Sequence, residues 1–318
     1  MVEVTVGIKT RLTTISTRCI VQGTMVFGTA SLAKRIEAAE ASLMEQIGQA
    51  ASRRLPDGEA VCIRIGGGVA TFAGHGAPSN KVAGLGFAEP PDTTFLDHLE
   101  REFDKRDAPV QVEFASLGDP SVPRLLTERG YRLVGFENVL GLALDDASLA
   151  QLGSGGDAST RIDRAGPDEV PAWRDTVITG FLTPDIFDGP PSHESFEREA
   201  IERAYGDMMS VVGVRLYLAR RDGEIAGGGA LRLWDGVAQL SGAATLPQHR
   251  RKGVQSALFR ERLKDAAAQG CDVAVVTTQP GSKSQENAQR FGFGVLYVRA
   301  VLVREAGISK SSRGDQQG

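Results

Sequence analysis

The stretch Thr245–Leu258, TLPQHRRKGVQSAL, brings three consecutive cations, Arg250, Arg251 and Lys252, up to Gly253 at the start of a segment with helical apolar spacing. A strand pattern precedes it. A strand that passes through a short basic loop into a helix start exposes unpaired backbone N–H groups and the positive end of the helix dipole. That is the chemistry of a phosphate or pyrophosphate site, and Gly253 lets the backbone approach the anion closely. An ordinary solvated basic loop is the competing reading of these four residues alone.

Other chemistries find little support. Four histidines, His75, His98, His193 and His249, include no H-x-x-x-H pair, so a histidine-rich metal enzyme is not expected. Cys19, Cys62 and Cys271 form no C-x-x-C spacing, which argues against a zinc site or a disulfide framework and for a reducing cytoplasm. Lys plus Arg total 36 against 40 Asp plus Glu, a formal charge of −4, which is the wrong sign for general nucleic-acid binding. No apolar run reaches the ~18 residues of a membrane span, and the start is not that of a signal peptide. The helical pattern begins only after Met25, so residues 1–24 are expected to be an upstream extension.

At roughly 150 residues per domain, 318 residues suggest two domains. In the second half the expected order is a strand at 161–164, helices at about 167–180 and 193–205, then strands 215–221, 224–234 and 237–245 joined by Asp222-Gly223 and Asp235-Gly236 turns. A helix (253–269), a strand (272–278), a short helix (283–290) and closing strands to Val303 follow. The first half reads as a helix at 30–54, a short strand within 60–65, a small-residue stretch at 66–76, a helix at 92–107, a strand at 110–114 and a helix at 119–129. Residues 131–144 read as strands split by a polar turn at Glu137–Asn138. Residues 145–160 have linker composition.

This order, with the signature R/Q-x-x-G-x-G/A at Arg250–Gln255 and the glycine–aromatic pair Gly292-Phe293, resembles the GCN5-related N-acetyltransferase (GNAT) superfamily over about residues 160–305. Gln255 departs from the pattern, where Gly or Ala is usual. The resemblance implies an α/β (α+β) acyl-CoA N-acyltransferase fold, acetyl-CoA as cosubstrate and a primary amine as acceptor. It implies that backbone amides near Ala243, Ala244 and Thr245 pair with the pantetheine arm. Those of Arg251, Lys252, Gly253, Val254, Gln255 and Ser256 would hold the pyrophosphate, and Asn287 would contact the arm.

The superfamily often places a tyrosine acid four positions before Gly292, but Ala288 stands there. Ser284, one turn earlier on the same face, is the candidate proton donor, with a helix cap or a solvent-facing hydroxyl as its alternative role. Tyr131, Tyr205, Tyr217 and Tyr297 are expected to pack. No base stands out: Asp235 is a turn former, and His193, Glu194, Glu197 and Glu199 read as solvated. Trp173, Phe181, Phe187 and Phe196 hint at an apolar acceptor pocket beside a packing role.

The helix–Gly-aromatic–strand order around Arg129-Gly130-Tyr131 repeats that around Phe291-Gly292-Phe293, so the first half reads as a degenerate copy of the second without a basic glycine loop. The expected layout is a GNAT-like domain at 1–146, a linker at 147–159, the acetyltransferase domain at 160–306 and a disordered tail at 307–318. The expected function is acetyl transfer to a small-molecule amine by a cytoplasmic enzyme, with a homodimer as an expectation and neither nucleic acid nor membrane as partner. A protein or peptide N-acetyltransferase, or a non-catalytic acyl-CoA-binding regulator, are the alternatives.

Overall fold

Thr29 opens the first helix: its Oγ1 accepts a hydrogen bond from the Leu32 N–H at 3.1 Å, and α1 runs from Ala30 to Arg54. Arg53 and Arg54 complement the dipole at its end, and Pro56 forces the preceding Leu55 out of the helix. The computed structural model describes residues 26–88, 91–152, 159–184 and 195–307. The expected N-terminal extension, the tail beyond Gly307, residues 153–158, and Phe187, His193 and Glu194 lie outside them.

The first half continues as β1 (Val61–Ile65), β2 (Gly68–Phe72), β3 (Lys81–Ala83), α2 (Thr93–Asp104), β4 (Val110–Ala115), α3 (Ser121–Glu128), β5 (Arg132–Ala143) and α4 (Asp146–Gln151). The second contains β6 (Thr160–Arg164), α5 (Val170–Leu182), α6 (Arg198–Met208), β7 (Val214–Arg221), β8 (Glu224–Trp234), β9 (Val237–Thr245), α7 (Val254–Ala268), β10 (Val273–Thr278), α8 (Lys283–Arg290) and β11 (Gly294–Arg304). The two Asp-Gly turns have positive φ at both residues, 53° and 86° at Asp222-Gly223 and 44° and 75° at Asp235-Gly236, the geometry of tight hairpins.

Three expectations need correction. The small-residue stretch conceals β2, every residue of which is buried, returning from β1 through a Gly66-Gly67 turn. Glu137 and Asn138 are not a turn but lie within the continuous strand β5. Their polarity is matched from outside the strand: Arg299 stands opposite Glu137 on β11, and Asn138 donates to Gln285 Oε1 at 3.1 Å. The start of the expected linker is helical, because Asp145 caps α4 by accepting from the Ser148 N–H at 2.7 Å.

Among the described residues all strands join one eleven-stranded sheet in the order β1-β2-β3-β4-β11-β5-β10-β9-β8-β7-β6. The pairs β3–β4 and β9–β10 are parallel and the rest antiparallel. From β1 and β7 inward the order is symmetric: β1-β2-β3-β4 on one side answers β7-β8-β9-β10 on the other. The last strand of each half has crossed over, so β11 lies between β4 and β5, and β5 between β11 and β10. These are two mixed-sheet halves with exchanged strands, in which neither half closes its own sheet.

Alternation along the strands assigns the two faces. On one, α1 spans both halves, packing Ile36 and Ala39 with Val139, Val237 and Val275, and Met44 and Ile47 with Val69 and Ala83. On the same face α5 buries Trp173 and Val177 with Leu218 and Ala230. On the other, α7 packs Leu258 and Leu263 with Leu140 and Leu240, and α2 and α3 pack Leu99, Phe103 and Leu126 with Val112 and Phe114.

Candidate active site

Strands β9 and β10 are in register over only three pairs, Val237 to Gln239 against Val273 to Val275. Beyond them β9 runs on to Thr245 and β10 to Thr278 without pairing to each other, which leaves a V-shaped notch between two otherwise adjacent strands. A register shift between Gly228 and Ala230 on β8 places an irregularity in β9 at Ser241–Ala244, where Gly242 has φ +53°. A Cβ at Gly242 would lie 3.3 Å from the Tyr205 hydroxyl, so the phenol of α6 rests directly against the kink.

At the end of β9 the basic loop takes two left-handed residues, Arg251 (φ +59°) and Gly253 (φ +77°), before α7 begins. Gly253 is the helix cap position, offers no side-chain cap and has open space around it. The first-turn N–H groups of the 15-residue α7 and its dipole thus face outward unopposed by any acidic residue in that turn. The three cations have separate tasks. Arg250 is structural, its Nε 3.3 Å from the Thr245 carbonyl and its Nη2 donating to the Thr183 carbonyl. Arg251 and Lys252 are exposed and form no ion pair with a described residue. The atypical Gln255 is accommodated by donating from Nε2 to Thr245 Oγ1 at 3.0 Å, which ties the loop's far side to the strand end.

On α8, Ser282 and not Ser284 is the cap, accepting from the Gln285 N–H at 3.2 Å. Ser284 is exposed, Asn287 half-buried, and Ala288 fully buried in the core with Phe293. Asp235 is a turn residue as expected, and Glu197 and Glu199 are exposed at the start of α6. Trp173 is fully buried, donates Nε1–H to the Gly229 carbonyl at 3.1 Å and meets Tyr205 edge-on at 5.3 Å; Phe181 is exposed and Phe196 half-buried. Packing alone, the expected role of Tyr205, does not account for its hydroxyl, which has no hydrogen-bond partner among the described residues. Burial pushes its pKa up to about 12.

On the α1 face the notch opens into a cavity of about 280 Å³ bounded by Ile36, Glu40, Lys81, Glu137, Ser241, Gly242, Thr277 and Arg299 among others. Its charged wall comes from both halves. Lys81 Nζ bridges Glu40 at 3.1 Å and Glu113 at 2.9 Å. Arg299 donates from Nε to Glu37 Oε1 at 2.8 Å, an oxygen that also accepts from Tyr297 at 2.7 Å. Arg232 donates to Gln239 Oε1 at 2.7 Å and to the Ala39 carbonyl at 2.8 Å. Burial opposes the charge on Glu40, but Lys81 and Arg299 overcome it and hold its pKa down to about 2. Glu137 goes the other way: burial and then the neighbouring Glu113 push it up to about 8 against the pull of Lys81 and Arg299. Glu37 is also raised, by burial. Sequence reasoning misses all of these as site residues, Glu137 reading only as part of a turn. They come from α1, β3, β4, β5, β8 and β11, and no local spacing announces their meeting.

The equivalent notch of the first half is closed. β3 and β4 share one parallel pair, Val82 with Val112, but the segment after β3 folds back into the gap. Leu85 is buried there, the Asp119 N–H donates to the Gly86 carbonyl at 2.8 Å, and a Cβ at Gly86 would lie 2.7 Å from the Phe114 ring. A wider basin of about 690 Å³ in this half, lined in part by Arg54, His75 and Arg106, lies away from both notches. Two of its arginines are engaged, Arg54 with Asp207 at 2.6 Å and Arg106 with the Glu59 carbonyl at 2.7 Å. No helix among the described residues is long and apolar enough to cross a membrane, and no cluster there could hold a metal ion.

Residues 182–293, which include the notch and the basic loop, match the model of the acetyltransferase (GNAT) family. No curated protein matches the chain. Among solved structures, a GCN5-related N-acetyltransferase from Kribbella flavida superposes with a TM-score of 0.57 at 19% identity over 86% of this chain and 96% of its own. A tandem GNAT protein from the clavulanic acid biosynthesis pathway gives 0.56 at 15% identity, over 83% and 88%. A GCN5-related N-acetyltransferase from Sphaerobacter thermophilus gives 0.50 at 18% identity, over 67% of each. Likeness at such identity is one of fold, and the family match, confined to residues 182–293, lies where the fold leaves its notch open.

Proposed function

We propose that the protein transfers the acetyl group of acetyl-CoA to a primary amine of a small molecule held in the cavity between its halves. The observation that carries the reading is the parting of β9 from β10 after Gln239 and Val275, with the outward-facing N–H groups of Gly253–Ser256 at one end and the cavity at the other. The pyrophosphate is assigned to the amides of Arg251 to Ser256, with Arg251 and Lys252 adding charge, and the arm to the backbone of Ala243–Thr245 and to Asn287. Amides at the β9 kink would polarise the thioester carbonyl. The amine nitrogen attacks that carbon, the C–S bond breaks, and the thiolate must receive a proton. Two hydroxyls are candidates, the exposed Ser284 and the Tyr205 phenol against Gly242. Tyr205 is favoured, since a phenol held near 12 remains protonated at neutral pH. A walled cavity of about 280 Å³ suits a small acceptor better than a stretch of polypeptide. The closed first-half notch favours one cosubstrate per chain.

The test is thiol release from acetyl-CoA across amino acids, spermidine, tyramine and kanamycin, with product mass identifying N-acetylation. Release with at least one of these amines is expected. Silence with all of them, despite saturable acetyl-CoA binding, would count against catalysis on such acceptors.

A further inference from the structure

We infer that Glu137, delivered to the cavity by the exchanged strand of the first half, is the group that takes the proton from the acceptor's ammonium; the inference rests on the transfer reading above. Glu137 and the kink residues Ser241 and Gly242 line the same cavity, on the face of the sheet opposite α7. Its side chain is 22% exposed, although its Oε2 is buried, whereas Glu37 and Glu113 beside it are 1% and 3% exposed. It is also the uncommitted carboxyl of the group. Glu37, Glu40 and Glu113 are taken up by hydrogen bonds from Tyr297, Arg299, Gln239 and Lys81. Glu137 Oε2 accepts none among the described residues, and Arg299 Nη1 comes no nearer than 3.6 Å.

The groups facing it are Glu40 from α1, Lys81 from β3, Glu113 from β4, Arg299 from β11 and Arg232 from β8, with Glu37 and Tyr297 joined to them through Arg299. Burial and Glu113 disfavour the ionised carboxylate while Lys81 and Arg299 favour it, which leaves the Glu137 pKa displaced to about 8. An ammonium that enters as a further cation favours the ionised form. Glu137 then accepts one proton from nitrogen, which frees the lone pair for attack. As the C–S bond of the tetrahedral adduct breaks, the Tyr205 phenol protonates the departing thiolate, and the phenolate so formed takes the second nitrogen proton. Glu137 finally releases its proton to solvent, matching the single proton that acetylation of an ammonium sets free.

The experiment compares wild type, Glu137→Gln and Glu137→Asp on whichever amine of the panel wild type acetylates, with acetyl-CoA affinity and the melting temperature measured in parallel. The expected result is a fall in kcat/KM of about 100-fold for the amide, with acetyl-CoA affinity held. The wild-type rise of kcat/KM through about pH 8 should be lost in Gln and retained, displaced, in Asp. If Gln keeps both the rate and the rise near pH 8, Glu137 is not the acceptor of the proton, and the transfer reading survives. If wild type acetylates nothing in the panel, both fall together. If Gln loses rate but Asp does no better and the wild-type rise persists in Gln, the carboxyl acts only by packing and the inference is overturned.

Discussion

At Gly253 the chain adopts φ +77° and a Cβ placed there would have nothing within 4 Å, so a larger side chain meets strain in the backbone and not a collision. Gly253→Val should cost about 1–2 kcal/mol of stability through that left-handed conformation. It should weaken acetyl-CoA binding at least tenfold by turning the first amides of α7 away from the anion, a loss that calorimetric titration reads directly. Tyr205→Phe should instead leave cosubstrate affinity unchanged and lower kcat by about 10–100-fold; equal kcat would return the proton-donor role to Ser284. Glu40 supplies a stability prediction. Its folded pKa near 2 lies below the ordinary 4.5, so its contribution is full above about pH 4.5 and is lost as pH falls toward 2. Glu40→Gln should therefore flatten the dependence of melting temperature on pH across that window. The anion loop is legible in sequence because its parts are consecutive. The cavity wall is not, since Lys81, Glu137 and Arg299 are brought together only by tertiary pairing.

Strand β5 shows where pattern reading stops among the elements. Its ends are legible to nearly the right residues, but Glu137–Asn138 at its centre carry the composition of a turn. Their partners, Arg299 and Gln285, are more than a hundred residues away, so the strand is explained only by the sheet around it. β2 escapes for the opposite reason: five buried residues between glycines give no alternation to read. By contrast α7, α8 and the Asp-Gly hairpins depend on local signals, which place them within a residue or two. The double pairing of β5 has an energetic consequence. Leu140→Ala, at a fully buried position paired on both sides, should cost about 2–5 kcal/mol. The loss should appear as one shifted unfolding transition and not as an early melting of one half. Two separated transitions in calorimetry would show that the halves unfold independently.

For the whole molecule, the exchange means that two sequence repeats do not make two separable bodies. A chain cut between residues 152 and 159 should remain a single particle on size exclusion, because β5–β10 and β4–β11 pairs hold the pieces together. The piece beginning at residue 159, made alone, should bind acetyl-CoA poorly, since β10 would lose the strand that flanks its notch. That the two halves share an order of elements can be read from the repeated helix–glycine–aromatic pattern. That they trade strands cannot, because a strand's sequence records that it is buried and not which neighbour buries it. The position of β11 also constrains how the protein is made. The last strand to leave the ribosome must enter the middle of the sheet, between β4 and β5, which were synthesised more than 150 residues earlier. Until then the edges of β4 and β5 that receive β11 stay unpaired, so this long-range pairing should be a slow, late step of folding.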